Sequence, residues 1–248
     1  MHQIPYKTAL VTGASSGIGS SVVKALTEQG ITAYALARRA DRLNSLAKQT
    51  GATPIVLDIC DTDELYRQLT GLEVDILVSN AGLGIGSTPL HKASREEVTT
   101  AMNTNLLAAM HLINIIAPGM VARSKGHIIH LGSIAGLYPL FSSVYGASKG
   151  GIHMMCQNLR LELKGTPIRC TEICPGRVET EFFEKAYKDP EVVKKIMTEI
   201  TLLKAEDIAD AVLYALSAPA RVNIGLIELT PTEQMAGGLV SQPAHPSI

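Results

Sequence analysis

Thr8-Ala9-Leu10-Val11-Thr12-Gly13-Ala14-Ser15-Ser16-Gly17-Ile18-Gly19 runs from an apolar strand, through a turn punctuated by glycine, into the start of a helix. TALVT reads as a buried strand, and the helical period begins at Gly17 and carries to Gln29. The three glycines have separate physical duties. Gly13 permits the tight turn out of the strand, Gly17 leaves no side chain where a pyrophosphate must approach the backbone, and Gly19 lets the helix pack close to the sheet. The helix start then offers free N–H groups and the positive end of its dipole to an anion. Gly-rich turns are common, so the triplet gains its weight from the strand–loop–helix context around it.

Outward from this stretch, short apolar runs alternate with longer amphipathic ones. Strands are predicted at Thr8 to Thr12, Thr32 to Leu36, Pro54 to Leu57, Ile76 to Val78, His127 to Leu131, Ile168 to Ile173 and Gly225 to Leu229. Helical patterns cover Gly17 to Gln29, Ala40 to Gln49, Glu96 to Val121 and Tyr145 to Leu163. Strands separated by helix-length segments predict an α/β fold, a Rossmann-like doubly wound parallel sheet of about seven strands with helices on both faces. The strands are continuous apolar runs, as expected when both faces are covered. No linker, composition shift or solenoid repeat divides the chain, so residues 1–248 are expected to form one domain.

The spacing of the loop is G-x-x-x-G-x-G, and it is followed in order by Asn80-Ala81-Gly82, Ser133, Tyr145-Gly146-Ala147-Ser148-Lys149 and Pro175-Gly176. In this combination the chain resembles the short-chain dehydrogenase/reductase family over essentially its whole length. The resemblance implies an oxidoreductase that moves a hydride between a nicotinamide and a carbonyl or alcohol. It places cofactor contacts at Gly13, Ser15, Ser16, Gly17, Ile18 and Gly19, at Asp58 and Ile59 (the carboxylate against the adenine amino group), at the Asn80-Ala81-Gly82 turn, at Tyr145 and Lys149, and at Pro175, Gly176, Val178 and Thr180. The choice of dinucleotide sits after the second strand. An acidic residue there would bond the ribose 2′-OH and repel a 2′-phosphate, but the chain reads Ala37-Arg38-Arg39, with no carboxylate until Asp41. Two guanidinium groups suit a 2′-phosphate, so NADP (NADPH) is the expected cofactor.

Tyr145 and Lys149 lie four apart, on one face of a helix. A phenol has a pKa of about 10 and is a poor acid or base near neutrality. A neighbouring ammonium, together with a positively charged oxidised nicotinamide, is expected to bring it toward the working range. Tyr145 would then protonate the carbonyl oxygen in reduction, and Ser133 would hold the same oxygen as charge develops. Lys149 can also bond the nicotinamide ribose. By resemblance, Asn105 is the helix-kinking residue that positions water linking Lys149 to solvent.

The same resemblance puts a mobile cover over residues 177 to 201, with Val178 and Thr180 at the nicotinamide amide. Further walls are expected from Leu83 to Gly86 and Leu137 to Phe141, with Leu83 and Tyr138 as substrate contacts. The cover is short, which favours a small substrate. Arg177 either clamps an anionic substrate group or faces solvent paired with Glu179 or Glu181. The segment Val222 to Thr232 is similar to 3-hydroxy-acid and serine dehydrogenases, and to reductases of sulfoacetaldehyde and the clavulanate aldehyde, favouring a small anionic aldehyde or oxo acid. A homodimer or homotetramer is implied. The alternatives are a reductase of a neutral carbonyl and a catalytically silent nucleotide sensor. An epimerase or dehydratase would carry a longer C-terminal domain and a different loop.

Bulk properties fit this reading. The formal net charge of −1 offers nothing to nucleic acid or an anionic membrane, and 46% hydrophobic residues supply a sizeable core. No secretory signal is read at the N-terminus and no apolar run reaches about 18 residues, so a cytoplasmic protein is expected. The four cysteines, including Cys170 and Cys174 on one strand face, read as buried thiols, and the scattered histidines, His127 and His130 among them, predict no metal site.

Overall fold

The computed structural model describes residues 3–84, 88–139, 142–187 and 189–235. Seven strands are β1 (Thr8–Thr12), β2 (Thr32–Ala37), β3 (Thr53–Val56), β4 (Ile76–Ser79), β5 (His127–Leu131), β6 (Arg169–Pro175) and β7 (Leu226–Leu229). They form one parallel sheet in the order β3-β2-β1-β4-β5-β6-β7. The helices are α1 (Gly17–Glu28), α2 (Ala40–Thr50), α3 (Thr62–Leu69), α4 (Arg95–Met102), α5 (Ala108–Ala122), α6 (Ile134–Leu137), α7 (Ser143–Glu162), α8 (Phe182–Ala186), α9 (Pro190–Thr198) and α10 (Ala205–Leu216). The chain winds from β1 toward β3 on one side and from β4 toward β7 on the other. The direction therefore reverses between β1 and β4, and the crevice at their carboxyl ends is where such sheets bind ligands.

Alternation along the inner strands feeds two cores. Val11, Val78 and Ile129 join Val22 and Leu26 of α1 and Ile208 and Val212 of α10 on one face. Leu10, Leu77 and Ile128 join Leu65 of α3, Leu112 and Ile116 of α5 and Ile152 of α7 on the other. Both parities are apolar because both faces are covered, which is why the strands read as unbroken runs.

The long predicted helix is one continuous helical run, Arg95–Ala122, interrupted by a π segment at Asn103–Leu107. It is 28 residues long and apolar enough to meet the length and hydropathy of a membrane span, which counting consecutive apolar residues does not reveal. Ala108, Leu112, Ile116 and Met120 are buried against the sheet and its helices. Residues 169–175 extend β6 two positions beyond the prediction. Its first residue, Arg169, is buried and donates to the carbonyls of Leu216, Ala218 and Val222 and to Tyr6 Oη.

Candidate active site

The β1–α1 turn shows why it needs glycine. Gly13 has φ +66°, and a Cβ there would stand 2.8 Å from Asn80 Nδ2 and 2.9 Å from Ala81 Cα. A Cβ on Gly19 would collide with the Gly13 carbonyl. The loop is thus pressed against the end of β4. Thr12 and Asn80 hold it there: Asn80 Nδ2 donates to the Thr12 carbonyl at 2.9 Å, and the backbone N–H groups of Asn80 and Ala81 both donate to Thr12 Oγ1 at 3.1 Å. Ser16 is the N-cap of α1 but makes no side-chain cap bond, and the first turn holds no acidic residue. The helix start faces a cavity of about 490 Å³ lined at this end by Gly13, Ser16, Gly17, Ile18 and the Asn80-Ala81-Gly82 turn. Uncapped N–H groups at a dipole end fit a pyrophosphate.

The same cavity is lined at its other end by Ser133, Tyr145 and Lys149. β5 ends at Leu131, and Ser133 caps the short helix α6, accepting from the Ala135 N–H at 3.1 Å. Ser142 caps α7 by accepting from the Tyr145 N–H at 3.2 Å, which fixes Tyr145 in the first turn and Lys149 one turn on. Lys149 Nζ is buried and donates to the Leu131 carbonyl at 2.7 Å. Burial brings this ammonium down to about 8. Burial pushes Tyr145 up to about 12, the Ser133 hydroxyl pulls it down, and the ammonium, turned to the Leu131 carbonyl, is not among what lowers it.

Asn105 lies in the π segment, and its side chain grips the backbone of Leu83 from both sides. Oδ1 accepts from the Leu83 N–H at 2.7 Å, while Nδ2 donates to the Leu83 carbonyl at 3.0 Å and to Ser148 Oγ at 3.1 Å. Leu83 lines the cavity, whereas positions 85–86 and 140–141 of the expected walls lie outside the described residues. Tyr138 is held by a distant carboxylate. Its hydroxyl donates to Glu228 Oε2 at 3.0 Å, and it is not among the residues lining the cavity. The Glu228 carboxylate, on β7, draws it away.

The arginines after β2 also divide. Arg38 reaches Asp58 at 3.4 Å, and Asp58 also accepts from the Cys60 N–H. Arg39 turns back to Ser15 and Ser16 of the loop, at 3.0 and 2.6 Å. Ile59 is buried in the core beside Leu57 and Leu65.

Pro175, Gly176, Arg177, Val178 and Thr180 line the cavity from the end of β6. Gln234 organises this turn by accepting from the Arg177 N–H at 2.9 Å, and a Cβ on Gly176 would strike its amide oxygen. The Arg177 guanidinium donates to Glu199 at 2.8 Å, so its carboxylate partner is Glu199, just past α9, rather than Glu179 or Glu181. Phe182, at the start of α8, stacks edge-on against Tyr145 with ring centroids 5.6 Å apart. Gln234, Phe182 and Glu199 were not singled out in the sequence. They arrive from 37 to 89 positions beyond Tyr145 along the chain, and no local pattern announces them.

Away from the cavity, His130, Cys156 and Cys170 bring their ligand atoms within 4.8 Å of one another in the core. Cys170 thus faces Cys156 across the sheet–helix boundary; contact with Cys170, and then burial, push the Cys156 thiol up, while the same contact pulls Cys170 down.

The family model for short chain dehydrogenases matches residues 7–191. The chain belongs to the short-chain dehydrogenase/reductase family. NADP-dependent 3-hydroxy acid dehydrogenase YdfG of Escherichia coli K12 is 38% identical over 240 residues, covering 93% of this chain and 97% of that one. The uncharacterized short-chain type dehydrogenase/reductase y4eK of Sinorhizobium fredii is 37% identical over 94% of both. Among solved structures, the closed form of serine dehydrogenase complexed with NADP+ superposes with a TM-score of 0.88 at 37% identity, covering 95% of this chain and 99% of that one. The serine dehydrogenase of Escherichia coli gives 0.76 at 34%, covering 89% and 96%. The protein is accordingly an NADP-dependent oxidoreductase of this family.

Proposed function

We propose that the enzyme transfers a hydride between NADPH and a small anionic aldehyde or oxo acid, of the 3-hydroxy acid or sulfoacetaldehyde type, with Tyr145 as general acid/base. The observation that carries this is the convergence of Ser133, Tyr145 and Lys149 on one end of a cavity whose other end is the phosphate loop. The nicotinamide supplies the hydride when bound. The loop from Gly13 to Gly19 would hold its pyrophosphate, Arg39 its 2′-phosphate, and the Asn80-Ala81-Gly82 turn, Lys149, Val178 and Thr180 the remainder.

Ser133 Oγ holds the substrate oxygen by donating to it, and the Tyr145 phenol donates its proton to that oxygen. Burial raises the Tyr145 phenol to about 12, so its use as a general acid depends on the bound nicotinamide and the Lys149 charge bringing it back toward the working range. Lys149 releases a proton more readily than an exposed lysine and stands one helical turn away, so it can resupply the phenol. Phe182 and Leu83 keep water from the reacting groups. Residues 1–248 act as one domain, with residues 177–201 as the cover. The exposed apolar residues Leu107, Met110 and Val121 of the long helical run and Met154 and Leu161 of α7 would be covered in a homodimer or homotetramer.

The anionic substrate rests on Arg177, which lines the cavity, and on the activity named for the 3-hydroxy acid relatives. Its pairing with Glu199 means that the substrate must compete for the guanidinium. The expected outcome for Arg177→Ala is a rise in KM of about tenfold for carboxylate or sulfonate substrates, the loss of a charge-assisted bond, with neutral carbonyls unchanged. Equal effects on both classes would leave a reductase of neutral aldehydes or ketones.

A further inference from the structure

One carboxylate at the mouth of the phosphate loop gathers three cations. Glu181, just ahead of α8, accepts from Arg39 Nη1 at 2.9 Å, from Arg42 Nη1, and from Lys185 Nζ at 3.1 Å. Arg39 simultaneously holds Ser15 and Ser16, so its guanidinium spans the loop and the cover. Arg42, in the first turn of α2, is a second guanidinium at this point; the sequence had singled out Arg38, which instead faces Asp58. The cations hold Glu181 well below the usual carboxylate range, Arg42 contributing most, then Arg39 and Lys185.

Even with Asp41 acting on Arg42, three positive charges against two negative leave the cluster net cationic. A phosphate monoester carries about −1.5 to −2 near neutrality and three acceptor oxygens, so it matches two guanidinium forks and the serine hydroxyls better than a carboxylate does. We propose that Glu181 occupies the 2′-phosphate site of the cofactor as an internal anion, so that the phosphate and the start of the cover compete for Arg39 and Arg42. The inference rests on the NADP cofactor and on the placement of its 2′-phosphate beside Arg39. It ties the two ends of the cavity together. The residue after Glu181 is Phe182, whose ring lies against Tyr145, so one short segment joins the phosphate end of the cavity to the reacting end. A cofactor without the phosphate leaves Glu181 in place.

The test is calorimetric binding of 2′,5′-ADP and 5′-AMP to the full-length protein and to Glu181→Gln and Glu181→Ala variants. Both variants are expected to bind 2′,5′-ADP about twofold to fivefold more tightly than the parent, the scale of a partly exposed charge pair, with 5′-AMP unchanged. Unchanged or weaker 2′,5′-ADP binding would overturn the proposal, since Glu181 would then be positioning the arginines rather than competing for them. Equal gains for both nucleotides would also overturn it. A parent protein that binds 2′,5′-ADP no better than 5′-AMP would remove the phosphate site itself.

Discussion

Lys149 is the residue at which function and stability pull apart. Its ammonium is buried among β5 and α7, with the Leu131 carbonyl as its acceptor, and titrates near 8 rather than 10.5. Below pH 8 the folded and unfolded chains both carry this proton, and the fold bears the full cost of a buried charge. Between about 8 and 10.5 the unfolded chain binds more protons than the folded one, so the handicap fades as the pH rises. Lys149→Met is therefore expected to abolish activity and yet raise the melting temperature at pH 7, by the equivalent of up to about 3 kcal/mol. The gain should shrink toward pH 10; a variant that is less stable than the parent at pH 7 contradicts this. The lysine was legible from its spacing to Tyr145, because four residues on a helix fix a face. The energetic setting was not. The sequence shows neither how deeply the phenol is buried nor that the ammonium turns to a backbone carbonyl. The bond from Tyr138 to Glu228 was illegible for a related reason, since the two are 90 positions apart.

At the scale of the element, β5 carries two buried histidines in a five-residue strand. Burial brings His127 to about 3 and His130 to about 4, with the nearby Arg169 and Lys149 charges adding to each. His127 shares a bond with Thr171, whereas among the described residues neither ring nitrogen of His130 has a partner. As pH falls below 6.5 the unfolded chain takes up protons that the folded one refuses, and stability is lost down to the folded-state values. Replacing His130 by Leu removes its share. The stability difference between Leu variant and parent is expected to grow by about 2 kcal/mol between pH 7 and pH 4.5, read from urea unfolding at each pH. A difference that does not change with pH would contradict it. β1 and the loop after it were readable because strand, turn and helix start are all local, and the glycine positions follow from backbone contacts within the same unit. The π segment was not, since Asn105 is held by a loop 22 positions earlier, and that grip, not helix propensity, marks the break.

For the whole molecule, the doubly wound sheet followed from the alternation of apolar runs and helical periods, and the reversal between β1 and β4 puts every cavity residue at the carboxyl edge. What spacing could not convey is how the segment after β6 folds back over that edge, carrying Glu181 to Arg39 and Phe182 to Tyr145, 142 and 37 positions apart. Long-range pairing of this kind is set by packing, not by local pattern. The exposed apolar residues of the long helical run and α7 lead to the expectation of a dimer or tetramer by light scattering at micromolar concentration. A monomer at that concentration would contradict it.

The central claim is tested most directly by following NADPH absorbance with a panel of small carboxylate, sulfonate and neutral aldehydes and ketones, for the parent enzyme and Tyr145→Phe. The account predicts NADPH consumption with the parent, faster with the anionic members and slower with NADH. It predicts a loss of about a hundredfold or more in Tyr145→Phe, the scale of a general acid, with NADPH binding retained. NADPH that binds but is not consumed with any member, or a Tyr145→Phe variant as fast as the parent, would contradict it.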